Sequence, residues 1–290
     1  MTITSFFSQK IIFKMVLSIL CLFTYSSTAY SKDTVVWAVA DRPTSYILEG
    51  VDKGRGVVDE VYYLLHKNLK EYEHKTNKMN FARVLQQMEN GENQCACGFK
   101  KPEREKVGYY SVPAVIALPF SVIVKKGKLD EIYGKTESIA LKNLLENEKF
   151  KGGVSKKRSY GNITPLIDTY EKKGNLYAHS STQNLMKMLM ADRLDYAIEI
   201  HSFANYIAKQ LDNEDIFETY AIDENKNKVL IAYIFCTKNE WGRKIIEKVD
   251  RILEKERQTA SYVEIMGRWY DDKGRKIIKD YYNNNFLDLK

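Results

Sequence analysis

The side chains in this sequence that could support chemistry fall into a few small groups. The stretch CGFKKPEREKVGYYS, residues 97–111, starts with small and apolar residues and turns abruptly into Lys100, Lys101, Pro102, Glu103 and Arg104. A knot of cations at the end of an apparent buried strand is either an anion-binding edge or a solvated first helical turn, with Pro102 at the opening position. The four histidines are scattered: His66 on a helical stretch, His74 in the charged loop YEHKTNK, and His179 and His201 beside serines, without the order of a catalytic triad. Glu199 with Lys100 is the remaining acid-base pairing that proton transfer could use. No His, Cys and carboxylate spacing suggests zinc. GRGVVD lacks the third glycine and the strand-to-helix setting of a dinucleotide loop, so no metal, nucleotide or other cofactor is expected.

The N-terminus bears on the compartment. Lys10 and Lys14 precede MVLSILCLF, an uncharged run, and TYSSTAYS follows with small residues suited to signal peptidase between Ala29 and Ser31. The run is too short to cross a bilayer, which needs about 20 apolar residues. Residues 1–31 are therefore expected to be a cleaved signal peptide that delivers the chain to the periplasm. Their removal takes away two lysines and no acid, leaving a net charge of +5. Spread along the chain, that excess gives no nucleic-acid footprint. Three cysteines remain, Cys95, Cys97 and Cys236, and in an oxidising compartment an odd count suggests one bridge and one thiol. Cys236 lies in the apolar run VLIAYIFC, so pairing with Cys97 or Cys95 would join strands far apart in sequence; three buried thiols are the alternative.

The elements alternate. TVVWAVA reads as a strand buried on both faces, and Val58, Val61, Tyr62, Leu65 and Leu69 recur at helical spacing. FARVLQQMENG is a helix ending at a glycine, and QCACGF a short strand. The same grammar continues through LPFSVIVKK, SIALKNLLENE, KGGVSKK, TPLIDTYEKKG, TQNLMKMLMADR, DYAIEI and HSFANYIAKQL. It closes with VLIAYIFC and the amphipathic helices RKIIEKVDRILEKE and YVEIMGRWY. A chain of 290 residues, 44% hydrophobic and without internal repeats, can build two such α/β units.

That order resembles the two-lobed periplasmic solute-binding proteins, specifically the family that captures polar amino acids for ABC importers. Three stretches carry the resemblance: VVWAVADRPTSY, NGENQCACGFKKPEREKVGYYS, and LIAYIFCTKNEWGRKIIEKVDRIL followed by VEIMGRWY. It implies a type II periplasmic-binding-protein-like α/β fold, each lobe an open mixed sheet flanked by helices, with two hinge crossings. The expected lobes are 32–117 with 230–290, and 118–229. Arg104 would grip the ligand's carboxylate with two parallel bonds, with Lys100 nearby. Asp41 would meet a cationic group, Tyr46 would form an aromatic wall, and Arg158, Ser159 and Tyr160 would occupy a donor-rich loop on the second lobe. Amino-acid binders end one second-lobe strand in an Asp that holds the ligand's ammonium. Here the aligned position is Ile200, and Glu199 is one residue away, directed to the other face of an extended strand.

The resemblance thus implies a monomeric binder of a small anionic or zwitterionic solute that closes two lobes for an ABC permease, and not an enzyme. A sensor or accessory protein with a membrane partner, and a lyase or dehydratase on the same scaffold, are the alternatives.

Overall fold

The computed structural model describes residues 32–40, 42–156, 158–226 and 228–289. The expected signal segment and Asp41 lie outside these residues. TVVWAV forms β1 (Thr34–Val39), where Val35 and Trp37 are fully buried. Parallel to it run β2 (Glu73–Lys78) on one side and β3 (Cys95–Gly98) on the other. The late strand β11 (Leu230–Thr237) inserts antiparallel between β3 and β4 (Gly108–Ala117). The first sheet therefore has the order β2-β1-β3-β11-β4.

The second sheet is built from β5 (Ser121–Lys125), β6 (Ser138–Ile139), β7 (Gly152–Ser155), β8 (Leu176–His179), β9 (Tyr196–Glu199) and β10 (Phe217–Ile222), in the order β6-β10-β5-β9-β7-β8. β5 is antiparallel to β9 and β10, whereas β7 is parallel to β8 and β9. The chain leaves the first sheet between Ala117 and Ser121 and re-enters it between Ile222 and Leu230. This is the expected architecture of two mixed sheets with helices on their faces. The helix Val57–Asn68 buries Val57, Val58, Val61, Tyr62 and Leu65, and the helix Glu240–Glu256 buries Ile245, Ile246, Val249 and Leu253. Both pack into the core that contains Val35 and Trp37.

Several elements depart from the sequence expectation. YEHKTNK, taken as a loop, contributes β2, whose side chains are almost all exposed. An edge strand open on both faces carries no apolar alternation; its pairing to β1 comes from the backbone. The strands β8 and β10 and the terminal helix Asp272–Asn284 were likewise not anticipated.

Cys95 and Cys236 face each other in the β3/β11 register and form a disulfide. Cys97, the other candidate partner, stands opposite Ile234 and is a free thiol. Beside the same sheet, His66 of the helix Val57–Asn68 and His74 of β2 stack with ring centroids 4.3 Å apart. His74 Nδ1 accepts from Trp37 Nε1 (3.0 Å), so its Nε2 carries the proton and donates to the Leu69 carbonyl (3.0 Å). Burial, with the charge of His74 second, lowers the pKa of His66 to about 4. Between that value and the unfolded value near 6.5 the unfolded chain takes up a proton that the folded chain refuses. This contribution is complete above pH 6.5 and is lost as pH falls toward 4. The urea midpoint is expected to drop across that window, and less so in a His66→Gln variant; equal slopes for both proteins would refute the assignment.

Candidate functional site

The segment after β1 is built to cross the seam between the two sheets. The backbone amides of Ser45 and Tyr46 donate to the Arg42 carbonyl (3.1 and 2.7 Å), curling the chain into a tight turn. The Asp59 carboxylate fastens that turn to a helix start by accepting from the amides of Ile47 (2.7 Å) and Gly56 (3.1 Å). A Cβ at Gly56 would lie 2.4 Å from the Ser45 carbonyl oxygen, so only glycine allows this approach. Thr44 sits in the left-handed region with φ 66°, a costly conformation for a β-branched residue.

The turn reaches the other sheet's elements. Thr44 Oγ1 lies 3.4 Å from Ser202 Oγ, at the start of the helix His201–Gln210. Ile47 is buried among Leu185, Met186, Phe203 and Ile207, all from the second-sheet side. Ser202 also hydrogen-bonds Tyr270, whose hydroxyl accepts from the Leu118 amide (3.0 Å) in the first crossing.

From the second sheet, β9 ends in Glu199 and the segment after β7 carries Arg158; the two form an ion pair that is buried on both sides. The other Glu199 oxygen, Oε1, accepts from the Ile200 amide (2.8 Å). The Arg158 guanidinium lies 4.8 Å from the Phe120 ring and 5.8 Å from the Tyr160 ring. Tyr160 is itself fixed, because its hydroxyl accepts from the Ser155 amide (2.6 Å). Arg42 lies within electrostatic reach of these groups. Its pKa falls to about 10, first through burial and then through the positive charge of Arg158, while Glu199, Tyr46 and Tyr160 push it back up. Burial raises the Tyr46 hydroxyl, which sits 3.4 Å from that of Tyr62, and pushes the Cys97 thiol up to about 12 against the opposing charge of Arg42. A thiol so held is a poor nucleophile.

Of the residues expected at the site, Tyr46, Arg158, Tyr160 and Glu199 come together here. The Ser159 hydroxyl is buried without a hydrogen-bond partner among the described residues. Lys100 and Arg104 sit elsewhere in the charge pattern. Arg104 Nη1 donates to the Phe99 carbonyl (3.0 Å), its guanidinium lies 4.3 Å from the Phe81 ring, and the groups acting on it are Tyr110 and Glu103. Lys100 pairs with Glu105 (3.4 Å) and Lys101 with Glu103 (3.8 Å). The acid-base pairing of Glu199 with Lys100 is thus replaced by the Arg158–Glu199 pair. Glu199, the last residue of β9, is held by Arg158 and by the amide that follows it.

Arg42 was missed. The signal that drew attention to Lys100 and Arg104, a cation at the end of a strand buried on both faces, was equally present at Arg42. Among the described residues no group of three His, Cys, Asp or Glu side chains could hold a metal ion.

Comparison with known proteins fits this architecture. None of the curated proteins compared with the chain matches it. Among solved structures, a histidine kinase sensor domain with similarity to periplasmic binding proteins superposes with TM-score 0.63 at 12% identity, covering 82% of this chain and 96% of that one. The substrate-binding protein of an amino acid ABC transporter gives TM-score 0.59 at 16% identity, with 82% and 98% covered. A Streptococcus pneumoniae amino acid ABC transporter substrate-binding protein bound to L-arginine gives TM-score 0.61 at 18% identity, with 85% and 96% covered. At these identities the likeness shows the fold. The sequence profile of a family of binding proteins matches residues 34–272, most of the chain. The chain belongs to the bacterial extracellular solute-binding proteins, family 3.

Proposed function

We propose that this protein captures a small anionic or zwitterionic solute between its two sheets and delivers it to an ABC permease. In this reading residues 1–31 are a signal peptide removed during export to the periplasm. Segments 32–117 and 230–290 then form one lobe, 118–229 form the other, and the monomer closes about the two crossings. The observation that carries the reading is at the seam, where the turn after β1 contacts the second-sheet side through Thr44 and Ile47 and Arg42 lies within electrostatic reach of the buried Arg158–Glu199 pair. Ligands of open α/β sheets bind beyond the carboxyl ends of strands, and β1, β7 and β9 all direct their carboxyl ends to this cluster. Asp41, Ser159, Lys100 and Arg104 stay in the proposal as ligand-binding residues.

The likeness to a sensor domain supports a second reading, in which the liganded form is presented to a membrane sensor and not to an importer. The test common to both is a thermal-shift screen of amino acids and organic acids against residues 32–290. A ligand at 100 times its dissociation constant adds about 2.7 kcal/mol of stability. A positive shift with at least one compound is expected; a flat response across both classes would refute solute capture.

A further inference from the structure

The two sheets are joined by an apolar contact as well as by the two crossings. Ile47 and Trp269 lie in segments that pack on the first sheet: Tyr46 and Leu48, beside Ile47, and Tyr270, beside Trp269, belong to its core. Yet Ile47, 4% exposed, and Trp269 join a second core whose other described members all come from residues 123–217. The receiving surface is one face of the helix His201–Gln210, where Phe203, Tyr206 and Ile207 stand three and four residues apart. Trp269 meets Tyr206 edge-on, with ring centroids 5.1 Å apart and an interplanar angle of 90°. At the start of the same helix the Thr44 and Ser202 hydroxyls lie 3.4 Å apart, and both residues are buried.

The first-sheet side of this contact is fixed by its own hydrogen bonds. The Ile47 amide donates to Asp59 (2.7 Å), the Gly54 amide to the Ile47 carbonyl (2.8 Å), and Trp269 Nε1 to the Arg55 carbonyl (3.1 Å). Ile47 and Trp269 therefore form one surface that is set before the sheets meet. Thr44 keeps its left-handed backbone at the edge of that surface, and such strain persists only where the surroundings over-determine it. Burying an isoleucine side chain shifts an equilibrium roughly 10- to 100-fold. The contact is intramolecular, so only the crossings between Ala117 and Ser121 and between Ile222 and Leu230 need bend to make it. The Lys273–Glu137 pair (3.3 Å) also links the two sides, but it is exposed and adds little.

We infer that Thr44, Ile47 and Trp269 form a latch against Ser202, Phe203 and Tyr206 that holds the two sheets together in the absence of ligand. The resting protein is then already in its capture geometry, solute enters only through a minor open form, and loosening the latch lowers the affinity by the fraction of closed molecules lost. This consequence for binding rests on the solute-capture reading above; the latch itself does not.

Small-angle scattering tests the latch on the whole chain, secreted by its own N-terminal segment and freed of any bound solute by unfolding and refolding with the disulfide intact. The parent should give the profile expected of this structure. Ile47→Asp places a charge in the apolar contact, and Tyr206→Ser cuts the contact from the other side. Both should shift to a larger radius of gyration while their far-ultraviolet circular dichroism stays unchanged. A parent more extended than this structure, or two variants whose profiles superpose on the parent's, overturns the latch. Should one variant lose its dichroism, the other decides by the same criterion. Opened variants together with a flat response to the screen of amino acids and organic acids leave the latch standing and overturn solute capture.

Discussion

Replacing Cys95 and Cys236 together by alanine is expected to lower the unfolding free energy by about 5 kcal/mol. The bridge joins residues 141 apart in sequence, and the loop it closes contains the whole second sheet. In the unfolded chain such a long loop restricts many conformations, and the entropic gain grows with the logarithm of its length. In the folded chain the two cysteines are neighbours in the register of β3 against β11. Denaturant titration of residues 32–290 measures the loss. The Cys97→Ala variant is the control: its thiol takes no part in the bridge, and its midpoint should move far less. A double variant within 1 kcal/mol of the parent, by roughly the error of extrapolation, would show that loop closure is not what the bridge contributes.

The second large effect is expected at Arg257. This side chain is 3% exposed and has no carboxylate partner among the described residues; its two terminal nitrogens donate to backbone carbonyls, while Nε is buried without a partner among the described residues. Nη1 donates to Pro113 (3.1 Å), and Nη2 faces Phe286 (2.9 Å), Leu287 (3.1 Å) and Leu289 (3.1 Å). The guanidinium also lies 4.7 Å from the Phe286 ring. One residue thus ties the end of the chain to β4 and to the helix Glu240–Glu256. Arg257→Met should cost about 3 kcal/mol, because hydrogen bonds to charged groups are each worth about 1.5–3 kcal/mol and the freed tail recovers part of the loss by meeting water. The same variant should expose residues 286–289 to carboxypeptidase. Arg257→Lys should rescue only partly, since an ammonium cannot span the fork of carbonyls. An unchanged midpoint with an unchanged digestion pattern would show that the tail is held by Phe286 packing alone.

The fold was legible where one physical signal dominated. Strands buried on both faces, such as TVVWAV and SVIVK, read as apolar runs, and the helices Val57–Asn68 and Glu240–Glu256 showed their buried stripes directly. β2 was illegible because an edge strand with two exposed faces has the composition of a loop. The disulfide was half legible: the sequence placed Cys236 on a strand, but only the register of β11 against β3 distinguishes Cys95 from Cys97.

The candidate site was read least completely. Arg158, Tyr160, Glu199 and Tyr46 lie in segments whose position the strand order fixes, so their convergence followed from topology. Which cation faces them did not. Arg104 looks the better anchor in one dimension, yet it finds Phe99 and Phe81 within its own neighbourhood. Arg42 depends on a turn whose geometry is set by Asp59, Gly56 and the left-handed Thr44, a combination with no periodic signature. Long-range pairing of charges, as between Arg158 and Glu199, likewise has no mark in a sequence window.

The central claim is that groups from both sheets enclose one small acid at their seam. A crystal structure of residues 32–290 with the strongest ligand from the thermal-shift screen tests this most directly. The account predicts the ligand at the seam, at hydrogen-bonding distance, about 3 Å, from side chains of both sheets' segments, with Arg158 still paired to Glu199. A ligand seated away from the seam, or touching segments of one sheet alone, would contradict it.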